Sequence, residues 1–173
     1  KLALVADTSL TTESEQGLVV GTVPLTPIQH SFFGQNLPEA HHFNQSLLLE
    51  LQQDIEPNIL QQAIQCLLAH HDALRLRFRP TANGWESFNA GVEAEVPFTK
   101  FDFSELPLQQ KVVIEAKATE LQASLDLSNG SIVRVALFDL GSQQNNRLLF
   151  IIHHLAIDGV SWRILLSDLQ TAI

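Results

Sequence analysis

Two adjacent histidines, His153 and His154, end an unbroken apolar run, Leu148-Leu149-Phe150-Ile151-Ile152. Leu155-Ala156-Ile157-Asp158-Gly159 and Val160-Ser161-Trp162 follow. The apolar run reads as a buried strand, and Ser161–Ile173 carries the spacing of an amphipathic helix. A strand, turn and helix in that order deliver an imidazole from the rim of a sheet into a cleft. There it can take or give a proton near neutral pH. Neighbours on an extended chain point to opposite faces, so one ring can face a cleft while the other packs below it. Asp158 cannot share a strand face with both histidines. It is better placed to hold the loop, by pairing with an arginine or accepting backbone N–H bonds. Gly159 would permit a backbone conformation closed to other residues.

A structural reading of the same residues stands beside the chemical one. His153 and His154 could be satisfied core histidines, with Asp158 as the N-cap of the helix that follows. A third reading, zinc held by the two histidines and Asp158, fares worse. Adjacent histidines rarely point at one metal, and no further ligand stands at a typical spacing. The other histidines, His30, His41, His42, His70 and His71, neither end a strongly apolar strand nor precede Asp-Gly.

The elements that must position the pair can be read along the chain. Residues 1–20 read as a lead-in, with Thr11-Thr12-Glu13-Ser14-Glu15 as a surface loop, and Val23-Pro24-Leu25 as an extended entry. Thr26 offers an N-cap and Pro27 a first helical position, for a helix to about Gln35. A strand is expected over His42–Leu51. A helix follows from Pro57, with Ile59, Leu60, Ala63, Ile64, Leu67 and Leu68 on one stripe. Leu74–Arg79 alternates as a strand, with Arg75, Arg77 and Arg79 on one exposed face, and Asn83-Gly84 turns it into Trp85–Phe88. Val96–Phe101 is a short strand. Leu106–Leu125 is a long helix carrying Leu108, Val112, Ala116, Leu121 and Leu125 on one face. Ile132–Leu140 and Arg147–His153 form an antiparallel pair. Mixed elements with hairpins favour an α+β fold over a doubly wound sheet.

Composition narrows the function classes. An apolar fraction of 45% and a charged fraction of 17% over 173 residues are those of a globular domain with a real core. The net charge of -9 argues against nucleic acid as a partner. No segment is long or apolar enough to span a bilayer and no signal peptide opens the chain, so a cytoplasmic location is expected. The single cysteine, Cys66, excludes an internal disulfide and is expected to be buried in the Leu60–Leu68 stripe. The absence of methionine and the uncapped last helix lead to the expectation that the chain is part of a larger polypeptide.

The string HHLAIDG at 153–159 fits HHxxxDG, the active-site signature of the condensation-domain superfamily of nonribosomal peptide synthetases, related to chloramphenicol acetyltransferase. The longer string HHLAIDGVSWRILLSDL at 153–169 resembles the epimerization branch, where Ser-Trp-Arg-Ile-Leu follows. Ordinary condensation domains show Asp-Gly-Trp-Ser instead. VPLTPIQHSFF at 23–33 is similar to the first epimerization motif, HFNQSLLLEL at 42–51 to the strand after it, and HHDALRLRF at 70–78 to the superfamily's second motif. In that second motif His70 stands where the family has arginine and Asp72 where it has glutamate, so no role carries over to those two positions.

The resemblance implies an α+β, two-layer αβ sandwich of the chloramphenicol acetyltransferase-like type. Residues 21–173 would form the N-terminal lobe of a two-lobed pseudodimer, with a substrate tunnel between this lobe and a C-terminal one. It implies His154 as the general acid or base at the α-carbon of an aminoacyl or peptidyl thioester. His153, Gly159 and Asp158 would support it, Asp158 through a salt bridge to Arg75. A glutamate of the second lobe would serve the opposite face of the α-carbon. The substrate would arrive on the 4'-phosphopantetheine arm of a peptidyl carrier protein, among neighbouring synthetase domains, with no cofactor or metal bound directly. Rival readings are a peptide-bond-forming condensation domain, a free-standing acyltransferase and a non-catalytic docking lobe.

Overall fold

The apolar run before the histidines is strand β7 (Arg147–His153), in a computed structural model that describes residues 17–173. β7 is central in a four-stranded sheet. It pairs antiparallel with β2 (Asn44–Glu50) on one side and with β6 (Val133–Asp139) on the other. β5 (Phe98–Asp102) runs parallel along β6, so the order is β2-β7-β6-β5. A parallel neighbour needs a crossover, and α3 (Gln110–Ala123) supplies it between β5 and β6.

Both faces of the sheet are covered, which is why β7 reads as a continuous apolar run and why β6, expected to alternate, is buried without a break from Val135 to Phe138. On one face Val133, Val135, Leu137, Leu148, Phe150 and Ile152 meet α2 (Pro57–His70) and α4 (Gly159–Ala172) through Leu60, Ile64, Leu67, Trp162, Leu165 and Leu169. On the other, Ala136, Phe138, Leu149 and Ile151 meet Val113, Ile114, Ala118 and Leu121 of α3. Each fully buried side chain of this size contributes roughly 1.5–3 kcal/mol. The α+β sandwich expected from the sequence is present, with α3 added on its second face.

A smaller sheet has the order β1-β4-β3, from β1 (Gly21–Val23), β4 (Gly84–Asn89) and β3 (Leu76–Thr81). Gly84 takes φ of 120° at the β3–β4 turn, a conformation that favours glycine. Trp85 of β4 stacks on Phe33 of α1 (Pro27–Gly34) with ring centroids 4.2 Å apart, joining this sheet to the first helix.

Several expected details shift. α3 starts at Gln110 and not Leu106. Leu108 is 98% exposed and Val112 is exposed, because the partly buried side chains that α3 turns to the sheet are Val113, Ile114, Ala118 and Leu121, of which only Leu121 was expected. Cys66 is exposed, since it lies about 200° around α2 from Ile64, off the stripe that faces the sheet. Residues 1–16, most of the expected lead-in, lie outside the described residues. Residues 17–20 are irregular and exposed.

The largest correction concerns the arginines. Arg75 does not sit in an exposed strand face; it is 3% exposed, in a short 3-10 turn over Asp72–Arg75. Its guanidinium donates to the carbonyls of Leu68 and Ala69 in the last turn of α2, to those of Ala90 and Val19, and to the Asp72 carboxylate. The carbonyls at a helix C-terminus lack intrahelical partners and carry its negative end, so a planar five-donor cation satisfies them well. Arg77 is buried too, its guanidinium 2.6 Å from Glu93, whereas Arg79 is exposed and pairs with Glu86.

β7 closes on a buried imidazole. His153 is 0% exposed, with Nε2 2.8 Å from the Ala40 carbonyl and Nδ1 3.2 Å from the Leu155 N–H. A carbonyl only accepts and an N–H only donates, so the ring is neutral with its proton on Nε2. Burial, above all, holds its pKa below the usual 6.5.

Two stability measurements check this account. Arg75→Met, which keeps the stem and removes the donors, should cost about 3–5 kcal/mol in urea denaturation. Arg79→Met should stay within about 0.5 kcal/mol. For His153, both folded and unfolded rings are neutral well above pH 6.5. As pH falls through that value the unfolded ring gains a proton that the folded ring refuses. Stability therefore drops until the lower folded value is reached, at no more than about 1.4 kcal/mol per pH unit. On acidification the denaturation midpoint of the wild type should fall by more than that of His153→Gln.

Candidate active site

The register of β2 on β7 assembles the site. Asn44 opposes His153, and the pairing extends one residue further through the His154 N–H, 2.9 Å from the Phe43 carbonyl. Phe43 and Gln45 flank Asn44, so their side chains fall on the same side of β2, beside His154. The Phe43 ring stacks on the His154 imidazole, with centroids 5.1 Å apart and planes at 18°. Gln45 Nε2 is 3.1 Å from His154 Nε2.

His154 itself is half-buried and opens the turn between β7 and α4. Its Nδ1 lies 2.8 Å from the Ile157 carbonyl, three residues on. That carbonyl can only accept, so Nδ1 carries the proton and Nε2 is the basic nitrogen. The two neighbouring rings therefore hold opposite tautomers, His153 protonated on Nε2 and His154 on Nδ1. The turn is tied to the first helix as well. Gln29 closes a capping box with Thr26, and its Nε2 reaches the Leu155 carbonyl at 3.4 Å. Gln29 is 5% exposed, and through this part-buried contact the Pro27-Ile28-Gln29 motif meets the histidine motif.

Asp158 takes the N-cap part that the sequence offered as one reading, and not the arginine pairing that the resemblance implied, while Gly159 needs no special backbone. Asp158 does not pair with Arg75. Its carboxylate caps α4, accepting from the N–H groups of Val160 and Ser161 and from the Ser161 hydroxyl at 2.7–3.1 Å. The Ser161 N–H, then its hydroxyl, hold the carboxyl below its usual range. Arg75 is fully engaged by the α2 terminus, Ala90, Val19 and Asp72. Arg75 has every donor engaged there, and Asp158 uses its Oδ1 for the α4 cap. Gly159 opens α4 without a left-handed φ, and a methyl group added there would meet open space. The turn therefore does not depend on glycine's conformational freedom.

Sequence reasoning missed Phe43, Gln45 and Gln29 as site residues, and used Trp162 only as a branch marker. Trp162 is 8% exposed and donates its indole N–H to Gln45 Oε1 at 2.8 Å. The alternation of Phe43 and Gln45 on an expected strand was the available signal. What it faced was not.

Among the described residues, His70, His71 and Asp168 bring donor atoms within 4.8 Å of one another and could hold a metal ion. His71 Nε2 is already 2.9 Å from Asp168, a direct link between α2 and α4 that needs no ion. Cavities of about 490 and 400 Å³ lie toward the opposite ends of β2 and β7, around Leu51, Gln52 and Gln53. His154 lines neither. No helix of the described residues is long and apolar enough to cross a membrane.

Residues 19–172 match the condensation domain family. A linear gramicidin synthase of Brevibacillus parabrevis is 50% identical over 175 residues, a match covering 99% of this chain and 2% of that protein. A chondramide synthase of Chondromyces crocatus is 47% identical, with 99% and 4% covered. Among solved structures, the epimerization domain from the third module of a tyrocidine synthetase superposes with a TM-score of 0.86 at 38% identity, covering 92% of this chain and 35% of that one. The starter condensation domain of rhizomide synthetase shares the fold, with a TM-score of 0.74 at 19% identity over 87% of this chain and 37% of that one. The chain thus spans a small part of these synthetases and about a third of the solved domains. With a family match over almost every described residue, and with the histidine turn built as above, this chain belongs to the condensation-domain family of nonribosomal peptide synthetases.

Proposed function

We propose that this chain is the N-terminal lobe of an epimerization domain, inverting the α-carbon of an aminoacyl or peptidyl thioester carried on the phosphopantetheine arm of a carrier protein. The observation that carries the reading is His154. Its ring is half-buried at the mouth of a turn, pinned through Nδ1 to the Ile157 carbonyl, so that Nε2 is left as the base. The residues that mark the epimerization branch, Ser161 and Trp162, open the helix α4 that follows this turn, Ser161 on the Asp158 cap and Trp162 on Gln45. The 38% identity to an epimerization domain points the same way.

The thioester makes the α-proton acidic enough for an imidazole to remove. His154 Nε2 would take that proton from one face, and a glutamate of the second lobe would return one to the other face of the planar enolate. His153, neutral and buried, would fix the strand end without joining the proton transfer. The carrier arm is substrate here, so the lobe itself needs no bound cofactor. The expected partners are the carrier domain, the second lobe and the neighbouring synthetase domains, in the cytoplasm.

The test loads a matched carrier with an L-aminoacyl group and adds the whole two-lobed domain in deuterated water. Deuterium should enter the α-position, and His154→Ala should slow that entry by about 10² to 10⁴-fold, the usual share of a general acid or base. The 173-residue chain alone should give no exchange. Peptide product without exchange would assign the domain to condensation and sink the proposal.

A further inference from the structure

Gln45 joins two groups that the sequence places far apart. Its Oε1 lies 2.8 Å from Trp162 Nε1, and its Nε2 lies 3.1 Å from His154 Nε2. An indole N–H can only donate, so the amide oxygen must face Trp162 and the amide NH2 must face the imidazole. That NH2 can only donate in turn, so His154 Nε2 has to present its lone pair. The other side of the ring requires the same state independently, because the Ile157 carbonyl 2.8 Å away demands the proton on Nδ1. A second proton, on Nε2, would point straight at the amide N–H groups. The amide cannot turn over to receive it without setting its own N–H against the indole N–H. Trp162 is buried in the core with Leu165 and Leu169 of the same helix, so the clamp is anchored to α4 and not to a loose side chain.

We propose that Gln45 is a positioning residue for His154. Clamped by Trp162, its amide holds the imidazole as the neutral tautomer with the lone pair on Nε2, and gives way when substrate reaches that nitrogen. The contact joins two uncharged groups, one of the weaker kinds of hydrogen bond, so an entering substrate can displace it. The tautomer lock stands on this geometry alone; its service to catalysis rests on the epimerization reading above. The lock also gives the Trp162 that marks the epimerization branch a physical task at the reacting nitrogen.

The first test needs only the 173-residue chain. Long-range proton–nitrogen correlation of nitrogen-15-labelled histidines at neutral pH should show His154 protonated on Nδ1 and bare on Nε2. His153, with the reverse tautomer, serves as the reference in the same spectrum. Trp162→Phe keeps the bulk and frees the amide to turn its oxygen toward Nε2, so, with Nδ1 still held by the Ile157 carbonyl, the His154 Nε2 signal should move toward its protonated position while the nitrogens of His153 stay put. Gln45→Glu, nearly isosteric, sets an acceptor against Nε2 and should place a proton there. An Nε2-protonated or tautomer-averaged His154 in the wild type overturns the proposal, as does an unchanged His154 pattern in Gln45→Glu.

The second test measures α-deuterium entry in the two-lobed domain. Both variants should lower kcat by about 10²-fold, the scale of a misdirected catalytic imidazole, with KM within about twofold. A loss confined to KM, or none, overturns the positioning role. If the locked tautomer is observed and the wild-type domain exchanges no deuterium, the epimerization reading fails while the lock stands.

Discussion

The site depends on one register: Asn44 opposite His153, carried a residue further by the His154 N–H on the Phe43 carbonyl. A strand's side chains alternate with a period of two, so a slip of one residue would send Phe43 and Gln45 to the wrong face of β2. His154 would lose both the ring that covers it and the amide that meets Nε2. The register is secured well away from the site. β7 is paired on both sides and buried on both faces, so sliding it would expose Phe150, Ile151 and Ile152, each at most 2% exposed. Burial in the core thus guarantees a polar arrangement at its rim.

The same strand end separates two chemically identical side chains. His153 is enclosed by Phe32, Phe43 and the Ala40 carbonyl, and burial keeps it uncharged. His154, one residue on, is partly open to solvent and holds the opposite tautomer. Neither ring is assigned by its own chemistry. Each takes the state that the fixed donors and acceptors around it permit, and those are backbone carbonyls, a backbone N–H and one clamped amide. Proton placement is therefore a property of the backbone path through the turn.

Charge is used economically elsewhere. Arg75 closes the C-terminal end of α2 against Asp72 and the Val19 carbonyl, while Asp158 opens α4. Family resemblance joined these two residues across the site. The structure gives each a helix terminus instead, where unpaired backbone groups and the end of the helix dipole already call for that sign of charge.

Much of this is legible in the residues themselves. The Thr26-Pro27-Gln29 helix start, the α2 stripe, the β3–β4 turn and the apolar β7 run all follow from local rules of capping, periodicity and turn chemistry. The motif order identifies the family, and the resemblance is what points to His154. Where local reading errs, neighbours overrule it: Arg75 and Arg77 are buried in spite of their strand-like alternation, and α3 turns Val113, Ile114 and Ala118 to the sheet where Leu108, Val112 and Ala116 were expected. Gln45 and Trp162 could not have been linked, since 117 residues separate them and neither breaks a local rule. Local patterns thus suffice for the elements, the family and the imidazole at the strand's end, because those depend on residues close along the chain. Which nitrogen of His154 bears the proton follows only from the folded arrangement, because its partners are held by strand pairing and helix packing that no short segment encodes.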